Sequence, residues 1–439
     1  MDILIKIAQL FLCFTILVGI HELGHFLMAR AFKIRVEKFY IFFDPWFSLF
    51  KFKRGDTEYG LGWLPLGGYV KIAGMIDESM DKEQMKQPVK PDEFRAKPAW
   101  QRLLVMVAGV MMNVLLAIVI YCAVCYTWGD SYFSNQDAKW GYNFNPTAHE
   151  MGFRDGDRFV SIDGEEIDNV MRVQNDLLIT GGRRVVVERG GEPVTLDIPF
   201  ESLLRMRQEK AYEDLFTLRL PFIVDSVSYT SAVEAGLQSG DEVVAIDDLR
   251  DADYPRYRDY LQKHKNDKVL LTVRRDGALI DSLALPVDAE GRIGVTVTNP
   301  YSLRTQYYTF WESIPAGIHK AGKTISSYWD QLKLIVQPKT KMYEELGGFV
   351  AIGSIFPGSW DWHDFWLKTA FLSIILAVMN LLPIPGLDGG HALFTLWEII
   401  TRRKPSEKFL EVAQYVGLMI ILALLVYANG NDIYRFFIK

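Results

Sequence analysis

Four long apolar stretches interrupt the chain, and most of its charged residues lie between them. They span residues 3–20, which contain one lysine, and the uncharged residues 103–124, 369–387 and 412–428. Each is close to the length that a helix needs to cross the hydrocarbon core of a bilayer. The pattern therefore predicts four transmembrane helices, with a long polar segment between the second and the third.

The flanking residues predict how these helices are oriented. Residues 3–20 lack the cleavage site of a secretory signal, so we expect the first helix to be retained. Basic residues lie after the first span, before the second, and between the third and the fourth: Arg30, Lys33, Arg35, Lys38, Arg95, Lys97, Arg102, Arg402, Arg403, Lys404 and Lys408. By the positive-inside rule these loops are cytoplasmic. Both termini and residues 127–365 are then expected on the outer side.

The polar segment contains an internal repeat. Residues 148–163 align with residues 232–247, and Arg189-Gly-Gly corresponds to Arg275-Asp-Gly further on. Each copy predicts a short helix that ends at a glycine, a Gly-Asp turn and an apolar strand. This pattern resembles PDZ domains of the circularly permuted bacterial kind, whose sheet edge can accept a peptide. The alternative is two β-rich modules that only space or shield the membrane part.

Residues 311–336 predict an amphipathic helix, because apolar residues recur at steps of three and four. Such a helix can lie flat on the outer membrane surface. Packing against the two repeated modules is the alternative.

Composition excludes several classes of protein. The chain has 439 residues, of which 49% are apolar and 23% charged, and its net charge is −6. The segregated apolar stretches exclude a plain soluble enzyme and a disordered chain, and the acidic balance argues against nucleic-acid binding. All three cysteines lie in apolar stretches, so the polar segment has no disulfide framework and no cysteine cluster for a metal.

The first span ends in His21-Glu22-Leu23-Gly24-His25. Residues four apart share one face of a helix, so both imidazoles can reach the same metal ion. This is the HExxH arrangement, with two zinc ligands and a glutamate as general base. The alternative is a chance occurrence of two histidines and a glutamate at this spacing. Ionisable residues at a membrane boundary are costly unless they are paired or functional, which argues against that alternative.

A zinc site needs a third protein ligand, and Asp388 is the best candidate. It ends an otherwise uncharged span, after a segment that Pro383 and Pro385 interrupt. The first and third spans run inward, so their ends are expected at similar depth. His391 is the competing ligand, and we favour a supporting role for it.

Asn380 lies eight residues before Asp388 and is a candidate hydrogen-bond donor to the reacting carbonyl or to the substrate backbone. An interhelical hydrogen bond is its alternative role. A bound zinc ion lowers the pKa of its water from about 16 toward 7, and Glu22 would accept the proton.

Together these motifs resemble the site-2 protease family, intramembrane zinc metalloproteases of peptidase family M50. The resemblance rests on five features in order: His21 to His25, Pro65-Leu-Gly-Gly-Tyr-Val-Lys71, Gly109-x-x-x-Asn113, the two PDZ-like modules, and Asn380 to Gly390. It implies a multi-pass α-helical membrane protein with four transmembrane helices. Two tandem PDZ-like domains are inserted between helices 2 and 3.

The resemblance also implies roles for individual residues. One Zn²⁺ per chain would be held by His21, His25 and Asp388, with Glu22 as the catalytic base. Residues 58–71 would form a membrane-reentrant β-element. Its edge strand would pair with an unwound substrate helix, because strand pairing replaces hydrogen bonds that the helix loses. A cytoplasmic hairpin with only a structural role is the alternative. Residues expected near substrate or behind the ligands are Asn380, Gly67, Gly68, Tyr69, His391 and Asn113.

The expected division of the chain follows this resemblance. The segments are 1–30 (first span), 31–100 (reentrant β region), 101–126 (second span), 127–220 and 221–305 (PDZ-like domains), 306–366 (interfacial helix and linker), 367–400 (third span) and 401–439 (fourth span).

The expected function is cleavage of single-span membrane proteins in the bacterial inner membrane. The resemblance implies anti-sigma factors and leftover signal peptides as substrates, with the PDZ pair acting as a size filter or binding peptide C-termini. A silent PDZ scaffold and a zinc transporter are the competing classes. The first would need a broken metal site, and the second usually has repeated spans.

Two positions depart from the family pattern. Phe42-Phe-Asp-Pro45 stands where a Gly-Phe-Gly element is common, and Gly386 stands where a bulkier residue is common. We expect a different loop at the first position and a looser turn at the second.

Overall fold

The computed structural model describes residues 2–64, 67–75, 88–178, 182–208, 215–251 and 253–438. The chain forms two compact units. The first, called the membrane unit here, comprises Met1–Asp130 and Tyr307–Lys439. The second, called the polar unit, is Ser131–Gln306.

The membrane unit begins with two long helices and a small sheet between them. The helices are α1 (Asp2–Ala31) and α2 (Ala99–Trp128). The strands are β1 (Val36–Ile41), β2 (Phe50–Arg54), β3 (Thr57–Leu61) and β4 (Tyr69–Ile72), arranged in the order β2-β3-β1-β4. Strands β1 and β3 are parallel, and the other two pairings are antiparallel. The predicted reentrant element therefore includes β3 and the edge strand β4, whereas its Pro65 and Leu66 lie outside the described residues.

The polar unit contains two successive groups of short elements. The first group is β5 (Asp130–Tyr132), β6 (Tyr142–Phe144), α3 (Pro146–Glu150), β7 (Arg158–Ile162), β8 (Glu165–Glu166), α4 (Val173–Leu178), β9 (Arg184–Arg189), β10 (Glu192–Asp197), α5 (Phe200–Gln208) and β11 (Phe216–Leu218). The second is β12 (Val224–Val227), α6 (Thr230–Glu234), β13 (Glu242–Ile246), α7 (Tyr254–Lys263), β14 (Lys268–Arg275), β15 (Ala278–Pro286), β16 (Val295–Val297) and β17 (Arg304–Gln306). Each group surrounds its own hydrophobic core.

The two aligned sequences adopt the same local structure. Helices α3 and α6 are each followed by a glycine with positive φ, Gly152 at 99° and Gly236 at 87°. Since L side chains rarely adopt this conformation, glycine is the residue that suits both positions. A Gly-Asp turn and then a strand, β7 or β13, come next in each copy.

The chain ends in a second set of helices in the membrane unit. These are α8 (Phe310–Val336), α9 (Phe349–Ser354), α10 (Trp362–Leu381), α11 (Asp388–Thr401) and α12 (Glu407–Ile433). The predicted amphipathic helix corresponds to α8, which packs against α2. A Cβ on Gly317 would lie 2.5 Å from the Cys122 nitrogen, so glycine permits this close approach.

In the part of the chain that the structure describes, four helices are long and apolar enough to span a membrane: Asp2–Ala31, Ala99–Trp128, Trp362–Leu381 and Lys408–Phe436. The prediction of four such helices is therefore confirmed by length and composition. The third helix begins at Trp362 and ends at Leu381, just before the interruption expected at Pro383 and Pro385, although the apolar stretch continues to Leu387. Pro383 and Pro385 lack a backbone N–H and disfavour helix for the residue before them, so the chain leaves the helix before the apolar stretch ends.

Candidate metal centre

Three side chains from distant parts of the sequence converge in the membrane unit. His21 and His25 lie one turn apart on α1, and Asp388 is the first residue of α11. The Asp388 Oδ2 atom lies 3.1 Å from His21 Nε2 and 3.2 Å from His25 Nε2. The two Nε2 atoms are themselves 3.2 Å apart.

This triangle has the dimensions of one face of a zinc site. In a tetrahedral site with bonds of about 2.0–2.1 Å, ligand atoms are about 3.3 Å apart. Asp388 Oδ2 is also buried and lacks a hydrogen-bond partner among the described residues. Because an uncompensated buried carboxylate oxygen is costly, the donor set fits a divalent cation that all three atoms contact.

The chain brings Asp388 to the histidines through a broken segment after α10. Gly386 has a φ of 100°, where a residue with a side chain would be strained. The expected looser turn at Gly386 is therefore a turn that favours glycine. A Cβ on Gly390 would lie 2.5 Å from the Ile384 carbonyl oxygen, so the first turn of α11 packs directly on this segment.

Hydrogen bonds orient the two imidazoles. His25 Nδ1 donates a hydrogen bond to the Val105 carbonyl oxygen at 2.8 Å, which leaves the Nε2 lone pair available. On the other imidazole, His21 Nδ1 lies 3.2 Å from the side-chain amide of Asn113.

Asn113 is fully buried, and its Oδ1 has no hydrogen-bond partner among the described residues. The two ends of an amide are assigned from the hydrogen bonds around them. With Oδ1 toward His21, Asn113 accepts a hydrogen bond from Nδ1. The Nε2 atoms of both histidines then face the same position beside Asp388 Oδ2. Ser373 Oγ donates to the Asn113 carbonyl oxygen at 2.8 Å and holds this part of α2.

Asn380 also lies beside the centre. Its Nδ2 is 3.5 Å from His21 Nε2, near the end of α10. His391, by contrast, does not belong to the group of converging metal-ligand atoms among the described residues.

Glu22 lies between the histidines in sequence and faces the small sheet. A Cβ on Gly68 would lie 3.2 Å from Glu22 Cγ and 2.8 Å from the Tyr40 carbonyl oxygen. The bare backbone of Gly68, next to the edge strand β4, therefore packs against Glu22. At the neighbouring Gly67, φ is 150° and a Cβ would lie 3.0 Å from the Phe43 ring.

The Tyr69 hydroxyl is engaged by the sheet. It donates to Asp44 Oδ1 at 2.9 Å, and its ring stacks on Tyr40 at a centroid distance of 5.2 Å. Burial raises the pKa of the Tyr69 hydroxyl, and the hydrogen bond that it donates to the Asp44 carboxylate raises the pKa further. The Tyr69 side chain is therefore held within the sheet by Asp44 and Tyr40. Asp44 belongs to residues 42–45, the loop that is expected from the sequence to differ from the family pattern.

Two glycines that received no role from the sequence pack closely at the centre. A Cβ on Gly109 would lie 2.5 Å from His25 Nε2 and 2.8 Å from His21 Nε2. A Cβ on Gly24 would lie 2.5 Å from the Ala108 carbonyl oxygen. Small residues permit α1 and α2 to approach closely. The signals in the sequence were the Gly109-x-x-x-Asn113 spacing and the glycine within the histidine motif.

Comparison with known proteins agrees with this geometry. The profile of Peptidase family M50 matches residues 9–424. A candidate zinc metalloprotease of Clostridium perfringens is 28% identical over 426 residues, which cover 96% of both chains. A protein of Haemophilus influenzae named regulator of sigma E protease is 27% identical over 459 residues, covering 99% of this chain and all of that protein.

A candidate zinc metalloprotease of Vibrio cholerae is 29% identical over 461 residues, covering 99% of each chain. These relatives match along nearly their whole length. The chain therefore belongs to peptidase family M50 and is a zinc metalloprotease.

Proposed function

We propose that this protein is an intramembrane endopeptidase in which His21, His25 and Asp388 hold one zinc ion. The observation that carries the proposal is the triangle of ligand atoms, at 3.1–3.2 Å, around a buried Asp388 oxygen without a hydrogen-bond partner. His21 and His25 lie on α1, which is apolar and long enough to span a membrane, and Asp388 begins the helix that follows α10, another such helix. A site built there acts on peptide bonds within or at the edge of the bilayer.

The residues around the centre have separate tasks. Bound zinc supplies a Lewis acid and a water of lowered pKa. The Glu22 carboxylate accepts the proton of that water and returns it to the leaving amine. The Asn380 amide donates a hydrogen bond to the substrate carbonyl oxygen or holds the substrate backbone, which its position beside His21 Nε2 supports.

Strand β4 is the proposed docking edge for substrate. It ends the order β2-β3-β1-β4, and Gly68 beside it packs against Glu22. A helix shields its own carbonyls, so it must unwind before hydrolysis. Pairing with β4 replaces the hydrogen bonds that are then lost.

The proposed substrates are single-span membrane proteins, including anti-sigma factor-like proteins and leftover signal peptides. The relative named regulator of sigma E protease supports this class. We place the protein in a bacterial inner membrane, with both termini and the polar unit on the outer side. The repeat in the polar unit supports two PDZ-like domains, which select substrates by size or bind peptide C-termini.

The test uses the full chain, purified in detergent, with one single-span substrate in two forms that either carry or lack a folded outer domain. Wild type should contain about one zinc and cleave the shortened form faster. Glu22→Gln should keep zinc and lose at least about 100-fold in cleavage rate, because an amide cannot accept the proton. Removal of residues 131–306 should let both forms be cleaved at similar rates.

Persistent cleavage by Glu22→Gln would refute the role of Glu22. Absence of zinc from wild type prepared without chelators would refute the metal site. If removal of the polar unit left the preference for the shortened form unchanged, selection of substrates by size would be refuted. The proposed zinc endopeptidase would stand.

A further inference from the structure

Helix α11 carries Asp388 at its first residue, and an ion pair attaches the opposite end of the same helix to α2. Arg102 Nη2 donates to Glu398 Oε1 at 2.5 Å, and Arg102 Nε donates to the Lys97 carbonyl oxygen at 3.1 Å. The two side chains are only 10% and 19% exposed. A pair so deeply placed loses much of its hydration, so removal of one partner leaves a charge that is poorly compensated.

We infer that Arg102 and Glu398 are positioning residues for the metal centre, and this inference rests on zinc being held by Asp388. Neither side chain belongs to the group of converging ligand atoms. The pair acts by fixing the direction of α11, and therefore the place of the carboxylate at its other end.

Helix α2 is the common reference for both halves of the centre. Its Gly109 packs against the two histidine rings, and its Arg102 holds α11. Seven residues separate these positions, which is about 10 Å along a helix. Contacts therefore run from the histidines on α1 to α2 and from α2 to α11, which returns to the histidines through Asp388.

The geometry of α11 explains why a second attachment matters. Glu398 lies ten residues after Asp388, or about 15 Å along the helix axis. A functional group must be held within about 0.5 Å of its productive position. If α11 pivots at its far end, a rotation of only about 2° displaces Asp388 by that distance.

The other contacts of α11, which packs along α2, involve mainly small side chains. Its start is joined to α10 through residues 382–387, and its buried side consists of small groups: Gly389, Gly390, Ala392 and Thr395. The side chains of Leu393, Leu396, Trp397 and Ile400 are exposed. Small side chains permit a helix to slide and rotate on its neighbour. The Arg102–Glu398 ion pair, in contrast, holds α11 in one orientation.

The experiment measures zinc release to a chelator and the visible spectrum of the Co²⁺-substituted protein, using the full chain in detergent. Glu398→Gln removes the charge at nearly constant shape, and Arg102→Lys keeps the charge but loses the planar donor group. Each should release metal about tenfold faster or more and alter the Co²⁺ spectrum. The exchange Arg102→Glu with Glu398→Arg should restore both readouts, at least in part.

Asp364→Asn is the control, because it breaks an ion pair that is partly exposed and lies within α10. Its metal release should match wild type. Release at the wild-type rate from Glu398→Gln and Arg102→Lys, with one zinc in wild type, would overturn the positioning role and leave the proposed function intact. Wild type without zinc would instead refute the metal site itself.

Discussion

Aspartates in the two units have opposite surroundings. In the polar unit, Asp157 receives two hydrogen bonds from Arg189, each at 2.7 Å, and Asp241 receives two from Arg275, each at 2.6 Å. Backbone amides of Arg154 and Gln238 complete the two sets at 2.9 Å. In the membrane unit, Asp388 faces two imidazoles and has an oxygen without a hydrogen-bond partner among the described residues.

The difference separates a structural carboxylate from a metal ligand. Each arginine in the polar unit also donates to the carbonyl oxygen of the preceding glycine, Gly152 or Gly236, at 2.8 Å. The hydrogen bonds to Asp157 and Asp241 raise the pKa of Arg189 and of Arg275, so each of these carboxylates is already paired with a positive charge. Among the described residues of the membrane unit no arginine pairs with Asp388, which agrees with its proposed role as a zinc ligand.

The largest expected effect comes from removing the two kinds of aspartate in parallel. Asp388→Ala should lower zinc affinity by more than the 10–100-fold that loss of an outer hydrogen bond costs. Asp241→Ala should leave zinc content unchanged and destabilise the polar unit, because Arg275 and the Gln238 amide lose their acceptor. Elemental analysis and hydrogen exchange of the polar unit distinguish these results. Full zinc occupancy in Asp388→Ala would break the comparison and transfer the ligand role to another residue such as His391.

A smaller effect is expected from two buried asparagines. Asn113→Leu should reduce zinc affinity about 10–100-fold, since His21 loses the acceptor that fixes its tautomer. Asn135 is the counterpart in the polar unit, where it donates to the Ile167 carbonyl oxygen and accepts from Tyr142. Asn135→Leu should cost about 1–3 kcal/mol of polar-unit stability without a change in zinc affinity. Zinc affinity is measured by competition with a chelator. Equal zinc affinity in both variants would contradict a role of Asn113 at the metal centre.

The smallest effect is a pH dependence confined to the polar unit. Burial acts to raise the pKa of Asp155, but the Phe144 amide, His149 and Arg256 outweigh it and lower that pKa from its ordinary value of 3.8. The stabilisation is therefore complete above pH 3.8 and decreases as the pH falls below it. Hydrogen exchange of the polar unit should show a smaller loss of protection on acidification in Asp155→Asn than in wild type. An identical loss in both would contradict this assignment.

Sequence reasoning succeeded where one helix turn or one repeat holds the information. The convergence of His21 and His25 follows from a spacing of four residues, and the two Gly-Asp turns follow from a repeated pattern. The depth of Asp388 followed from the order of apolar spans. The end of the third helix followed from the two prolines, which stop the helix while apolar residues continue.

The sequence by itself determined the four apolar helices, the two modules and the chemical identity of the donors, since periodicity and residue type are local properties. Only the tertiary structure decided that Gly109 packs on the histidines, that Asn113 contacts His21 and that Arg102 holds the far end of α11. These contacts join residues 84 to 296 positions apart in the chain. Such pairs form because packed helices bring particular faces together, and no local pattern specifies which faces meet.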